Sequence, residues 1–247
     1  MKTLGMIGGV GPESTIDYYK NIIALYRERR RDGSYPQFVI NSINLKKGVD
    51  FMDANNLPGM ADFLLEEIKK LAPAGADFGL IAANTPHIVF DDIAAKSPIP
   101  LISIVEATCA YAKARKMKCL GLFGTRYTMQ ADFYQKVFQR EGIELVVPKS
   151  KDQDYIHDKY FAELVPGNFL PETRAGLLAI VDRMKTKIDP PSPSDGPGRS
   201  YGGAGIDGVI LAGTELPLIL RGERHNGVVL LDTGKIHCEA AVDAMFS

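Results

Sequence analysis

Cysteine is scarce in this chain of 247 residues: Cys109, Cys119 and Cys238 are the only three. They are widely spaced, odd in number and free of any CxxC pattern, which excludes a disulfide framework and a zinc knuckle. An excess of one charge is also missing. Lys plus Arg is 29 and Asp plus Glu is 30, for a formal charge of −1. That balance argues against a nucleic-acid groove or a polybasic membrane surface. Apolar runs are short; Gly227–Leu231 falls far below the ~20 residues of a membrane span. The histidines His87, His157, His225 and His237 show no metal-ligand spacing, so no metal site is expected. Neither a GxSxG elbow nor a Walker loop is present. Met1-Lys2-Thr3-Leu4 enters a strand pattern at once and leaves no room for a secretory leader, which leads to the expectation of a cytoplasmic protein.

What is present is an ordinary globular mix, 45% apolar and 24% charged, in a length between one and two domains. Short apolar runs alternate with amphipathic helical patterns. Strands are expected at Leu4–Ile7, Phe38–Ile43, Phe78–Ala82, Leu101–Ile104, Leu120–Phe123, Leu145–Val147, Val209–Ala212 and Val228–Leu230. Helices are expected after Pro12-Glu13-Ser14, through Met60–Leu71, and over Val105–Ala114, Met129–Arg140, Tyr155–Leu164, Glu172–Lys185 and Lys235–Met245. Repeated strand–helix units imply an α/β fold with parallel sheets covered by helices on both faces. Ile188–Gly203, rich in Pro, Ser and Gly, is expected to be a surface loop, with a lid as the functional alternative.

Two segments echo each other. Asp77-Phe78-Gly79-Leu80-Ile81-Ala82-Ala83-Asn84-Thr85 can be laid over Asp207-Gly208-Val209-Ile210-Leu211-Ala212-Gly213-Thr214-Glu215. In each an Asp opens a buried strand, which ends in two small residues and a polar pair. About half the chain separates them, so two similar lobes around a shared cleft are expected: residues 1–98 with 226–247, and residues 99–225.

In such folds ligands bind beyond the carboxyl ends of the strands. The first tip, Gly8-Gly9-Val10-Gly11-Pro12-Glu13-Ser14-Thr15, is no dinucleotide fingerprint. Ser14 stands where a third glycine belongs, and Asn41-Ser42-Ile43-Asn44 lacks the ribose-binding acid. Its glycines still allow backbone N–H groups to approach an anion at a helix start. Asn84 and Thr85, Thr125 and Thr128, and Thr214 and Glu215 add donors at other tips. With Gly9 and Gly11 they form the expected clamp for a small carboxylate; plain helix capping explains the same residues and is compatible. Lys46 or Lys47 is a candidate cation for a side-chain carboxylate, against the blander reading of a solvated lysine.

At these tips the chain resembles the aspartate/glutamate racemase family, the cofactor-independent amino-acid racemases. The resemblance is carried by Met6–Thr15, Asn84-Thr85-Pro86-His87, Gly121–Met129, Gly213–Leu218 and Asp232–His237, in the family's order. It implies two Rossmann-like lobes in pseudo-twofold relation, frequent homodimers, a small carboxylate or amino-acid ligand, and no pyridoxal phosphate, metal or nucleotide. It also implies a thiol in each lobe, one preceding Asn-Thr and one preceding Thr-Glu, to serve opposite faces of the α-carbon. Here those positions hold Ala83 and Gly213. The expected function is therefore isomerase chemistry at the α-carbon of a small acidic amino acid, by groups other than two cysteines. Glu215, Thr85, Thr214 and His87 are the candidates. A catalytically silent binding protein on the same scaffold is the alternative.

Overall fold

The computed structural model describes residues 1–186 and 205–247, Thr186 in its backbone only; the segment expected to loop over Ile188–Gly203 lies outside the described residues. The chain divides into two units. The first comprises Met1–Ala107 and Gly234–Ser247, the second Thr108–Thr233.

In the first unit, strands β1 (Leu4–Gly8), β2 (Phe38–Ser42), β3 (Phe78–Ile81) and β4 (Leu101–Ile102) form one parallel sheet in the order β2-β1-β3-β4. Parallel neighbours need crossovers. Those leaving β1 and β2 are α1 (Pro12–Arg29), then α2 (Leu45–Asp53) and α3 (Leu57–Lys69). A 3₁₀ turn, Thr85–Val89, and α4 (Phe90–Ala94) follow β3. Helix α1 starts where the sequence invites it, with Gly11 as N-cap, Pro12 in the first turn and Glu13 at the positive end of the dipole. Strand alternation puts Leu4 and Met6 on the face that packs with Tyr18, Ile22 and Tyr26 of α1 and with Cys238, Ala241, Val242 and Met245 of the closing helix α11 (Thr233–Phe246).

Helix α5 (Ile104–Ala114) carries the chain into the second unit. There β5 (Cys119–Gly124), β6 (Glu144–Val146), β7 (Gly208–Ala212), β8 (Arg224–His225) and β9 (Val228–Asp232) form a sheet in the order β6-β5-β7-β9-β8. All pairs are parallel except β8 with β9. The helices are α6 (Arg126–Gln130), α7 (Phe133–Arg140), α8 (Ser150–Lys159), α9 (Pro171–Thr186) and α10 (Leu216–Leu220). Val209, Leu211 and Phe123 point to the face built by Ile156, Leu177, Ile180, Val181, Leu216 and Ile219.

The two sheets share one wiring: β2-β1-β3-β4 repeats as β6-β5-β7-β9. The echoed aspartates do one job in both. Asp77 Oδ2 accepts the Thr3 amide at 2.7 Å, and Asp207 Oδ2 accepts the amides of Lys118 and Cys119 at 2.6 and 3.1 Å. Each clasps the start of the neighbouring central strand.

Three expectations need correction. Residues 226–233 do not return to the first unit, because β9 is zipped to β7 through Gly208–Leu211, and residues 99–107 stay in the first unit, where β4 pairs with β3. The single helix expected over Met129–Arg140 is two. Thr125 caps a short α6, and Ala131 is extended (φ −76°, ψ 165°) before α7 begins. The helix over Tyr155–Leu164 changes form at Tyr160, where a π turn runs to Leu164 and the Val165 amide reaches back five residues to the Tyr160 carbonyl.

Candidate functional site

Gly9, Gly11, Asn84 and Thr85 lie beyond the carboxyl ends of β1 and β3, adjacent strands of the first unit. Gly9 sits at φ +78°, and a Cβ there would run into the Ile43 carbonyl and lie 2.6 Å from Ser42 Oγ, so only glycine fits. Its N–H donates to Thr15 Oγ1 at 2.9 Å, and Thr15 and Ser14 hydroxyls donate to the Gly11 carbonyl. The loop is thus braced by its own helix, and the Gly9 amide serves that brace. Asn84 is buried, and its carbonyl accepts the His87 amide.

His87 is fully buried below this tip. Its Nε2 accepts the Ile104 amide at 3.2 Å, and its ring stacks on Phe90. Burial, then the neighbouring His237, pushes its pKa down to about 3, against the raising effect of the Ala83 and Asn84 backbones. His237 is likewise held near 4 by burial; its Nδ1 meets the Tyr18 hydroxyl at 3.0 Å and its Nε2 the Ile102 carbonyl at 3.0 Å. Both imidazoles are neutral in the folded protein and hold backbone in place.

Lys46 and Lys47 fall in α2, a helix that the sequence pattern, broken by Gly48, does not announce. Lys46 pairs with Asp50 at 2.6 Å, and Lys47 lies 5.7 Å from the centre of the Phe63 ring.

The second unit brings Thr125, Thr128, Thr214 and Glu215 to the ends of β5 and β7, again adjacent strands. Thr125 caps α6 through the Thr128 amide, and the two hydroxyls are 3.2 Å apart. Of the remaining histidines, His157 accepts the Arg126 amide through Nδ1 at 3.1 Å, and His225 pairs with Asp182 at 3.0 Å. Glu215 is 1% exposed. Its Oε2 accepts the Tyr160 hydroxyl and lies 3.3 Å from Thr214 Oγ1. Burial and the carboxylate together raise the Tyr160 phenol well above its ordinary pKa. Tyr160 also fills the space at 213: a Cβ on Gly213 would lie 2.6 Å from Tyr160 Cε2, 3.1 Å from Cζ and 3.3 Å from the hydroxyl.

Sequence reasoning missed Tyr160. It looked like one more residue of a helical stripe, and its approach to Gly213 is a contact between residues far apart in the chain. Glu163 fastens the π turn that Tyr160 begins, holding Lys159 on one oxygen and the Thr173 hydroxyl on the other. Widened turns of this kind recur at functional sites.

Residues 7–189 match the family model described as Asp/Glu/Hydantoin racemase. The chain belongs to that racemase family. It is 28% identical over 190 residues to the broad specificity amino-acid racemase RacX of Bacillus subtilis, covering 75% of this chain and 81% of that protein. Among solved structures, an aspartate racemase homologue from Pyrococcus horikoshii is 33% identical, with TM-score 0.77 and 100% of both chains covered. The aspartate racemase of Picrophilus torridus, 20% identical, matches in fold with TM-score 0.77 over 99% of this chain and 94% of its own.

None of the three cysteines of this racemase-family chain stands at position 83 or 213. Cys109 and Cys238 are buried, with Sγ 3.8 Å from the Val137 carbonyl and 4.0 Å from the Tyr18 carbonyl. Cys119 lies at the opposite end of β5 from Gly124 and Thr125, and burial next to Glu144 and Asp207 raises its thiol to about 11. Among the described residues no helix is long and apolar enough to cross a membrane.

Proposed function

We propose that this chain exchanges the α-proton of a small acidic amino acid or related carboxylate, a racemase-type isomerisation without pyridoxal phosphate. The observation that carries the reading is Glu215, a carboxylate 1% exposed at the tip of β7 and hydrogen-bonded to a phenol. A buried, partnered acid at a strand tip is the kind of group that general acid–base catalysis uses, and it stands next to the position where the family resemblance implies a thiol. Taken unit by unit, the Asn84-Thr85 tip of the first and the Thr125/Thr128 tip of the second each supply hydroxyl and backbone groups at strand ends, which suits a carboxylate ligand. The names of the relatives, one a broad specificity amino-acid racemase and one an aspartate racemase homologue, support an amino acid as ligand. The same reading includes a cytoplasmic homodimer. It draws on Ile16 and Tyr19 of α1 and Ile40 of the edge strand β2, which expose apolar surface on the first unit.

One observation favours a second reading, a silent binding protein: Ala83 offers only a methyl group and Gly213 no side chain. The experiment is α-proton exchange in D₂O, followed by NMR, with L- and D-aspartate and L- and D-glutamate. Loss of the α-¹H signal together with appearance of the opposite enantiomer is the expected result. Binding without exchange would establish the second reading, and neither binding nor exchange would remove both.

A further inference from the structure

We propose that a second copy of this chain pairs with the edge strand β2, antiparallel and centred on Ile40, so that the two first-unit sheets join across a two-fold axis. The inference rests on the homodimer included in the reading above and names its seam; it does not depend on the isomerisation chemistry. A sheet edge presents unpaired N–H and C=O groups, and proteins blunt such edges by keeping them short or charged. The edges β4 and β8 have two residues each, and β6 has three with Glu144 among them. Strand β2 differs. It has five residues, Phe38-Val39-Ile40-Asn41-Ser42, with no charge and no proline, and among the described residues it pairs only with β1.

The ladder decides which backbone groups are left over. The Ile43 amide donates to the Gly8 carbonyl, and successive residues of a strand turn their backbone groups to opposite sides. Val39 and Asn41 therefore serve β1, and Phe38, Ile40 and Ser42 direct theirs away from the sheet. This set is its own complement. In an antiparallel pairing centred on Ile40, Ile40 meets its counterpart and Phe38 meets Ser42, each as a pair that exchanges both N–H···O=C bonds. A closed two-fold contact uses the same patch on both copies, so this self-complementarity favours a second copy over an unrelated strand.

The side chains agree with the backbone. Phe38 and Ile40 are in register with Leu4 and Met6, so they lie on the sheet face that α1 covers. Ile16 and Tyr19, one turn apart on α1, are 50% and 48% exposed, and Ile40 is 37% exposed. Tyr19 reaches the Phe38 ring, with centroids 5.4 Å apart. Helix and strand thus offer one apolar surface beside the edge. Antiparallel joining sets the two α1 helices on one face of the joined sheet, running in opposite directions. The exposed residues Glu13 and Lys20 are two turns apart on one side of α1, flanking Ile16 and Tyr19. The two-fold therefore brings Glu13 of each copy toward Lys20 of the other.

The test uses the full chain. Sedimentation equilibrium is expected to show a dimer. Amide hydrogen exchange, followed by NMR above and below the Kd, is expected to slow about tenfold or more at Ile40 in the dimer, with the Val39 and Asn41 amides protected in both states. Ile40→Lys sets two ammonium groups opposite each other at the axis. It is expected to raise the Kd about 100-fold, the scale of a central hot spot, with Val39 and Asn41 still protected. Glu13→Lys and Lys20→Glu each bring like charges together and are expected to weaken the homodimer about fivefold at low salt. Mixing those two proteins restores both attractive pairs, so the heterodimer is expected to form in preference. A dimer in which Ile40 exchanges at the monomer rate, or in which Ile40→Lys leaves the Kd within about threefold, overturns the inference and leaves a homodimer with another seam. A wild type that stays monomeric at millimolar concentration overturns both, and Ile40 protected in that monomer would assign the edge to another segment of the same chain. Neither result bears on α-proton exchange, which is measured separately. Should Ile40→Lys fail to fold, the exchange measurement on the wild type decides.

Discussion

The two units are built on one plan and end differently. Each has a central strand flanked in the same order, and each has an aspartate clasping that strand's start. Each also has a tip of a small residue followed by two polar ones. Below the first tip lies His87, a neutral base with its Nε2 taken by backbone. Against the second tip lies Tyr160, a neutral phenol whose hydroxyl donates to a buried carboxylate. The repeated parts are those that strand pairing dictates. The parts that diverge come from outside the sheet: a 3₁₀ turn after β3 in one unit and a π turn between α8 and α9 in the other. Duplicated topology thus sets where a tip stands, and the turns packed against it differ, with His87 below one tip and Tyr160 against the other.

The sharpest way to break this comparison is pH. His87 and His237 titrate near 3 and 4 when folded, against about 6.5 when unfolded. Below pH ~6.5 the unfolded chain takes up protons that the folded one refuses, so stability falls as pH falls. At pH 5 each histidine contributes a loss of about 2 kcal/mol, together about 4 kcal/mol, by linkage at 1.36 kcal/mol per pKa unit. Tyr160 behaves in the opposite sense: its folded pKa is raised, so its contribution is whole below pH ~10 and is lost as pH rises above that. Hydrogen exchange resolved by peptide should therefore show the first unit loosening at pH 5 and the second above pH 10. Equal loss of protection in both units at pH 5 would contradict the assignment.

Much of this was legible in sequence, and the reason is strand pairing. Buried parallel strands must be short apolar runs, so β1, β3, β5 and β7 stand out, and the Asp77/Asp207 echo marks the duplication. What was not legible depends on contacts far apart in the chain. The affiliation of β9 depends on a ladder to Gly208–Leu211, with β8 folded back on its edge. The meaning of Gly213 depends on Tyr160, 53 positions earlier in the chain, a long-range contact that periodicity cannot foresee. The buried setting of His87, with its Nε2 on the Ile104 amide, was not legible in the sequence. Glu215 stands out in the sequence because a polar residue after a buried strand is conspicuous.

A second comparison sets the two small residues against each other. Gly213→Cys drives a Cβ and a sulfur into the Tyr160 ring, with the first contact at 2.6 Å. Overpacking of this kind costs about 2–3 kcal/mol. Ala83 already carries its Cβ, so Ala83→Cys adds one atom and is expected to cost less than about 1 kcal/mol. Urea denaturation of both variants measures the contrast. In a double-mutant cycle, Tyr160→Ala should offset about 1–2 kcal/mol of the Gly213→Cys penalty, since residues in direct contact couple on that scale. Equal penalties at 83 and 213 with no coupling would mean that Tyr160 does not own the space.

The smallest effect separates the two strand clasps. Asp207 receives two amides and Asp77 one, both near the surface. Hydrogen bonds of this type contribute about 1 kcal/mol each net of competition with water. Asp207→Ala should therefore destabilise by about 2 kcal/mol and Asp77→Ala by about 1 kcal/mol. Because the clasps act within their own sheets, the loss of protection should stay with the amides of Lys118 and Cys119 in one variant and of Thr3 in the other. If either substitution loosened the opposite unit as strongly as its own, the aspartates would not be local clasps, and the duplication would extend to how the units share stability.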